Sequence, residues 1–87
     1  MKVKNMTSNK GNKIANQFII TDKNNRYFQS YNSIIVKETE KKTYLDSFYW
    51  DYSTTTGKYR NIFLGEKKSE TEKKIKKGIY KLTNLNK

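Results

Sequence analysis

The stretch "YWDYSTTTGKYRNIFLG", residues 49–65, holds the change of period that decides the fold. Before it, apolar residues alternate in short runs; from Tyr52 onward they recur at helical spacing. Thr55, Tyr59, Ile62 and Phe63 stand at i, i+4, i+7 and i+8, and with Tyr52 they form one face of a helix. Asp51 or Ser53 suits the N-cap, because each side-chain oxygen can accept from the free N–H groups of the first turn. Gly65 suits the left-handed position that closes a helix. Gly57, Lys58, Arg60 and Asn61 then face outward, and Trp50 is expected to pack where strand gives way to helix.

Upstream, the pattern predicts four strands. "QFIIT" (17–21) puts Phe18 and Ile20 on one face. "DKNN" (22–25) is a turn, since Asp and Asn tolerate left-handed backbone. "RYFQSY" (26–31) returns, and "NS" (32–33) turns again. "IIVKET" (34–39) and "KTYLDS" (42–47) make a hairpin around Glu40 and Lys41. Downstream, "SETE" sets Ser69 and Glu72 at capping-box spacing, and Gly78 closes a second helix. At roughly 100° per residue, Thr71 and Ile75 point one way and Lys73, Lys76 and Lys77 the other. "IYKLTNL" (79–85) alternates as a last strand. The expectation is an α+β fold, ββββααβ: one small domain over 17–87, with an antiparallel four- to five-stranded sheet and two short helices on one face. Residues 1–16, "MKVKNMTSNKGNKIAN", carry four Lys, no acid and little periodicity, and read as a flexible basic tail.

Composition narrows the chemistry. A chain of 87 residues suits one domain, and at 33% hydrophobic residues its core must be small. Twelve aromatics can build that core where aliphatics are scarce. There is no Cys and no His. Disulfides, thiolate metal sites, zinc fingers, Ser-His triads and His-based general acid–base catalysis are therefore excluded. No apolar run is long enough to span a membrane, and the first sixteen residues lack the apolar segment of a signal peptide. A cytoplasmic protein with no membrane partner is expected.

The formal net charge is +11, from 19 Lys plus Arg against 8 acids. Such a balance favours a polyanionic partner, most often nucleic acid. Seventeen of the cations are Lys and ten residues are Asn, a bias that an AT-rich genome also produces. The densest cationic cluster is Lys67, Lys68, Lys73, Lys74, Lys76 and Lys77. Its acids sit at the helix start and its lysines at the end, as the helix dipole prefers; the outward Lys73, Lys76 and Lys77 could also track phosphates. Exposed aromatics beside cations would make a base-stacking platform, and alternation places one of Tyr27 and Phe28 outside the core. For catalysis, Glu38, Glu40, Asp46 and Asp51 are the acids near one another, and "EKK" (40–42) has the E-x-K form of some metal-dependent nucleases. It lies in a hairpin turn without a partner Asp on a clear adjacent strand, so the pattern is weak. No glycine-rich phosphate loop is present.

"NQFII" (16–20), "YFQSYNSII" (27–35), "WDYSTTTGKY" (50–59), "FLG" (63–65) and "IKKGIYKLTNLN" (75–86) together resemble a family of small uncharacterised domains of phages and plasmids of low-GC bacteria. The signature W-D-Y-S-x-T-T-x-K-Y fits as Trp50 to Tyr59. The resemblance implies a mobile-element origin and carries no catalytic residue. The resulting expectation is a non-enzymatic accessory factor that needs no cofactor or metal and contacts the phosphates of DNA or RNA through Lys58, Arg60, Lys73, Lys76 and Lys77. The alternative is a phage-encoded inhibitor or adaptor, anti-CRISPR-like in one case, that binds a host defence or replication protein or ribonucleoprotein.

Overall fold

The computed structural model describes residues 1–86. Eight elements follow in chain order: β1 (Lys2–Thr7), β2 (Lys13–Asp22), β3 (Asn25–Ser30), β4 (Ser33–Glu38), β5 (Thr43–Asp46), α1 (Thr54–Leu64), α2 (Lys68–Lys76) and β6 (Tyr80–Thr83). The strands form one sheet in the order β1-β2-β3-β4-β5-β6. The first five make an antiparallel meander, and β6 joins β5 in parallel after both helices. The domain is a compact α+β unit with a mixed sheet of six strands, more than the four or five expected.

The turns lie close to where the sequence placed them, the second one residue earlier, at Tyr31 and Asn32. Lys23, between β2 and β3, adopts φ 54°, and Tyr31, before β4, adopts φ 56°. Between β4 and β5, the Thr39 hydroxyl accepts from the Lys41 and Lys42 amides and donates to the Lys42 carbonyl. A bulge interrupts the β3–β4 ladder: Phe28 stands opposite Val36 and Gln29 opposite Ile34, leaving Ile35 as the extra residue. Ile35 and Val36 are therefore both buried although they are adjacent.

The expected tail is a correction. Residues 1–16 form β1 and the start of β2. Most of β1 is exposed, with Val3 62% accessible, and Met6 alone within it is buried. Such a strand has almost no apolar signature; pairing with β2 holds it in place. Asn5 Nδ2 donates to the carbonyl of Ile14 at 3.0 Å, across the register shift between the two strands. Lys2 and Lys4 suit this outermost position, since charge on an edge strand discourages further pairing.

The core lies between the sheet and the helices and contains Met6, Phe28, Ile35, Val36, Leu45, Phe63 and Tyr80. Phe28 and Phe63 stack with centroids 5.8 Å apart, joining β3 to α1. The Ser30 and Thr56 hydroxyls share a buried hydrogen bond of 3.0 Å. Gln17 is fully buried nearby, and neither atom of its amide has a partner among the described residues. An unpartnered buried amide costs about 1–3 kcal/mol. Gln17→Leu, of similar volume, is expected to stabilise the fold by about 1 kcal/mol, seen as a higher urea midpoint with an unchanged slope.

Candidate nucleic-acid interface

Both helices form for the local reasons the sequence offers. Ser53 caps α1 by accepting from the Thr56 N–H at 3.2 Å, and Gly65 closes it with φ 70°. The buried face of α1 is rotated from the expected one. Thr56, Gly57, Arg60 and Phe63 are buried, at 56, 60 and 63 in helical register, whereas Tyr52 is 63% and Ile62 57% exposed. Arg60 is 1% exposed. Its guanidinium donates to the Trp50 carbonyl at 2.6 Å and to Asn61 Oδ1 at 3.0 Å, reaches Asp51 at 3.4 Å and lies 5.2 Å from the Trp50 ring centroid. Gly57 is buried against it; a Cβ there would meet both terminal guanidinium nitrogens at 3.6 Å, an ordinary contact. Arg60 and Gly57, expected on an outward face, are internal structure; Trp50 packs at the strand–helix junction as expected.

In α2 the starting signal moves by two residues. Lys67 is the N-cap, and its N–H donates to Glu70, so Ser69 and Glu72 do not act as a capping box. Orientation is as expected: Thr71 is buried, Ile75 packs against the core, and Lys73, Lys76 and Lys77 are exposed. Lys74 leaves the cationic cluster for an internal network. It donates to Glu66 at 2.6 Å, and Glu66 also accepts from Thr71 at 2.6 Å and from the Tyr80 hydroxyl at 2.9 Å. Burial pushes the Glu66 carboxyl up, but the Lys74, Thr71 and Tyr80 donors outweigh it and hold the group below its ordinary value. The same contact with Glu66 raises Lys74. Lys68 pairs with Asp51 at 2.7 Å.

Four of the five expected phosphate contacts therefore remain accessible: Lys58 on α1, and Lys73, Lys76 and Lys77 at the end of α2. None of them forms an ion pair among the described residues. Lys58 and Lys68 border a cleft of about 560 Å³ whose wall includes Asp51 and Asn61. Of the acids weighed for catalysis, Asp46 is 2% exposed and accepts from the backbone N–H groups of Phe48, Tyr49 and Leu85, whereas Glu40 is exposed on the 39–42 turn.

The sheet face turned away from the helices carries a second cationic surface. Phe28 points to α1, so its neighbour Tyr27 points the opposite way. From Tyr27 one row crosses all six strands: Val3, Ile20, Tyr27, Lys37, Tyr44 and Lys81 stand successively opposite one another. Lys37 Nζ lies 5.9 Å from the Tyr27 ring centroid. Lys42 is close enough to Lys81 that mutual repulsion, aided slightly by desolvation, lowers its pKa. Beside Tyr27, a groove of about 400 Å³ is lined by Ile20, Ile34, Lys37 and Leu85. Alternation at Tyr27 and Phe28 signals this face in the sequence; the alignment of Lys81 with Tyr44 depends on the parallel pairing and has no local signal.

A protein-family model described as "Family of unknown function (DUF8033)" matches residues 1–80, including the sixteen residues expected to lie outside the folded part. No curated protein and no solved structure matches the chain.

Proposed function

The chain belongs to DUF8033, a family of unknown function, and we propose that it is a non-enzymatic accessory protein that binds nucleic acid. The observation that carries this reading is the exposure of Lys58, Lys73, Lys76 and Lys77 without acidic partners among the described residues, in a chain of net charge +11. Cations held apart from carboxylates are available to phosphates, and each phosphate neutralised releases condensed counterions. Arg60 has no place in this contact set, because its donors serve Trp50, Asn61 and Asp51. The Lys and Asn bias supports a phage or plasmid origin and action in the cytoplasm of a host cell.

The test is a salt titration of binding to DNA and RNA duplexes and single strands. Binding is expected at low salt and should weaken log-linearly as salt rises. Replacing Lys73, Lys76 and Lys77 together by Gln should reduce the slope by about two to three. Absence of binding at low salt, or insensitivity to salt, would overturn the reading.

A second reading, a protein-binding inhibitor or adaptor, is favoured by one feature. Phe48 is 70% exposed and lies with Tyr49 and the exposed Tyr52 in an aromatic cluster, with centroids 4.7–6.1 Å apart. Aromatics are enriched at protein interfaces. A stoichiometric host protein, retained after nuclease treatment and lost in Phe48→Ser, would favour this reading over the first.

A further inference from the structure

A sheet covered by helices on one face leaves its other face to solvent. Here that face is neither uniformly polar nor uniformly apolar. The row from Val3 to Lys81 alternates, at its centre, ring and cation: Tyr27, Lys37, Tyr44, Lys81. Tyr27 and Tyr44 are half-buried. Lys37, Lys42 and Lys81 form no ion pair among the described residues. The acid closest along β4, Glu38, faces the helix side and is taken by Arg26 at 2.8 Å. Glu40, on the 39–42 turn, borders Tyr44. Lys42 and Lys81 are close enough to repel each other, and an anion between them would relieve that repulsion.

The geometry also selects the form of the anion. Lys37 stands between Tyr27 and Tyr44 in the register, so the rings are two strand spacings, roughly 10 Å, apart. Stacked bases are about 3.4 Å apart. Two neighbouring bases can reach both rings only if they are unstacked, which a single strand allows and a duplex resists. The groove beside Tyr27, with Ile20 and Ile34 along it and Lys37 at its rim, offers an apolar bed for one base with a cation beside it.

We propose that the open face of the sheet binds single-stranded nucleic acid, one base stacking on Tyr27 in the groove and another on Tyr44, while Lys37, Lys42 and Lys81 meet the backbone phosphates. This rests on the nucleic-acid reading above and adds to it the strand form and a second surface, opposite the helix lysines. The twist of the sheet lets the bound strand cross the strands from β3 to β6.

The test is fluorescence anisotropy with labelled oligothymidylate, oligouridylate and a duplex of equal length, all at low salt. The parent protein is expected to bind the single strands more tightly than the duplex. Tyr27→Leu and Tyr44→Leu should each weaken single-strand binding about tenfold, whereas Tyr27→Phe, which keeps the ring, should retain it. Thermal melts of each variant verify folding at the assay temperature; should Tyr27→Leu prove unfolded, Tyr44→Leu and Lys81→Gln carry the same test. Single-strand binding that weakens with salt but is equal in the parent and the Leu variants would overturn this inference and leave the helix-lysine reading standing. A preference for duplex would do the same. Absence of binding to every probe would overturn both.

Discussion

Asp46→Ala is expected to destabilise the protein by about 4 kcal/mol, the largest loss from any single polar truncation here. Asp46 is 2% exposed and sits where β5 ends. One carboxylate oxygen accepts from Phe48 N–H at 3.1 Å and Tyr49 N–H at 2.8 Å; the other accepts from Leu85 N–H at 2.7 Å. Hydrogen bonds to a charged group contribute about 1.5–3 kcal/mol each, and their removal leaves three backbone donors unserved. Asp46→Asn keeps the shape but turns donors toward donors, so it should recover less than half of the loss. The pH dependence follows from the same contacts. Burial pushes the Asp46 carboxyl up, but the Leu85, Tyr49 and Phe48 amides and the Asn86 side chain outweigh it, so the folded pKa lies below the ordinary 3.8. Asp51 and Glu66 are lowered too. A lowered carboxylate contributes stability that is present above its unfolded pKa and is lost as pH falls through the folded one. Urea midpoints should therefore be level near neutrality and drop below about pH 4. The acid drop should be shallower in Asp46→Ala, which no longer has that proton to take up.

Arg60→Ala is expected to cost about 3 kcal/mol and to lower the melting temperature by about 15 °C. A surface cation would change stability by less than about 0.5 kcal/mol. The loss has two parts: the volume of a fully buried side chain, and the acceptors at the Trp50 carbonyl and Asn61 that lose their donor. Asp51 is left a partner in Lys68, so no buried charge is stranded. Arg60→Met separates the parts. It keeps contact with the Trp50 ring and removes the guanidinium Nε, which has no partner among the described residues. It should recover about half of the loss, read in thermal and urea melts. An Arg60→Ala variant that melts with the parent would show the side chain to be free at the surface.

These two residues also mark how far the sequence can be read. The meander from β2 to β5 was legible to within a residue because alternation and turn chemistry are local: Asp22 to Asn25, the turn at Tyr31 and Asn32, and the 39–42 turn all act within a few residues. Ser53, Gly65 and Gly78 bounded the helices for the same reason. The face of α1 was legible in part. Hydropathy puts Tyr59, Ile62 and Phe63 inside and Arg60 outside; Phe63 is buried and Tyr59 packs against the core, but Ile62 is exposed and Arg60 is buried, its fork accepted by the Trp50 carbonyl and Asn61. Strand β1 was missed because pairing, not apolar residues, makes it a strand. Of the expected contacts, the structure keeps Lys58, Lys73, Lys76 and Lys77 exposed and withdraws Arg60. The Tyr–Lys row was half legible: Tyr27 follows from alternation, but its meeting with Tyr44 and Lys81 requires the order of the strands.

The parallel pairing of β6 with β5 has a consequence for the nascent chain. The first five strands pair with their sequence neighbours and can assemble as they leave the ribosome. The side of that meander bearing Phe28, Val36 and Leu45 then stays bare until Phe63 arrives, and the outer rim of β5 stays unpaired until Tyr80–Thr83 arrives. Helix α1 thus begins to seal the core and β6, later, seals the sheet edge. Synthesis passes through an interval, from Asp46 to Phe63, in which an apolar surface and an open strand coexist on the same molecule. That interval, more than any state of the finished protein, is when two copies can join edge to edge.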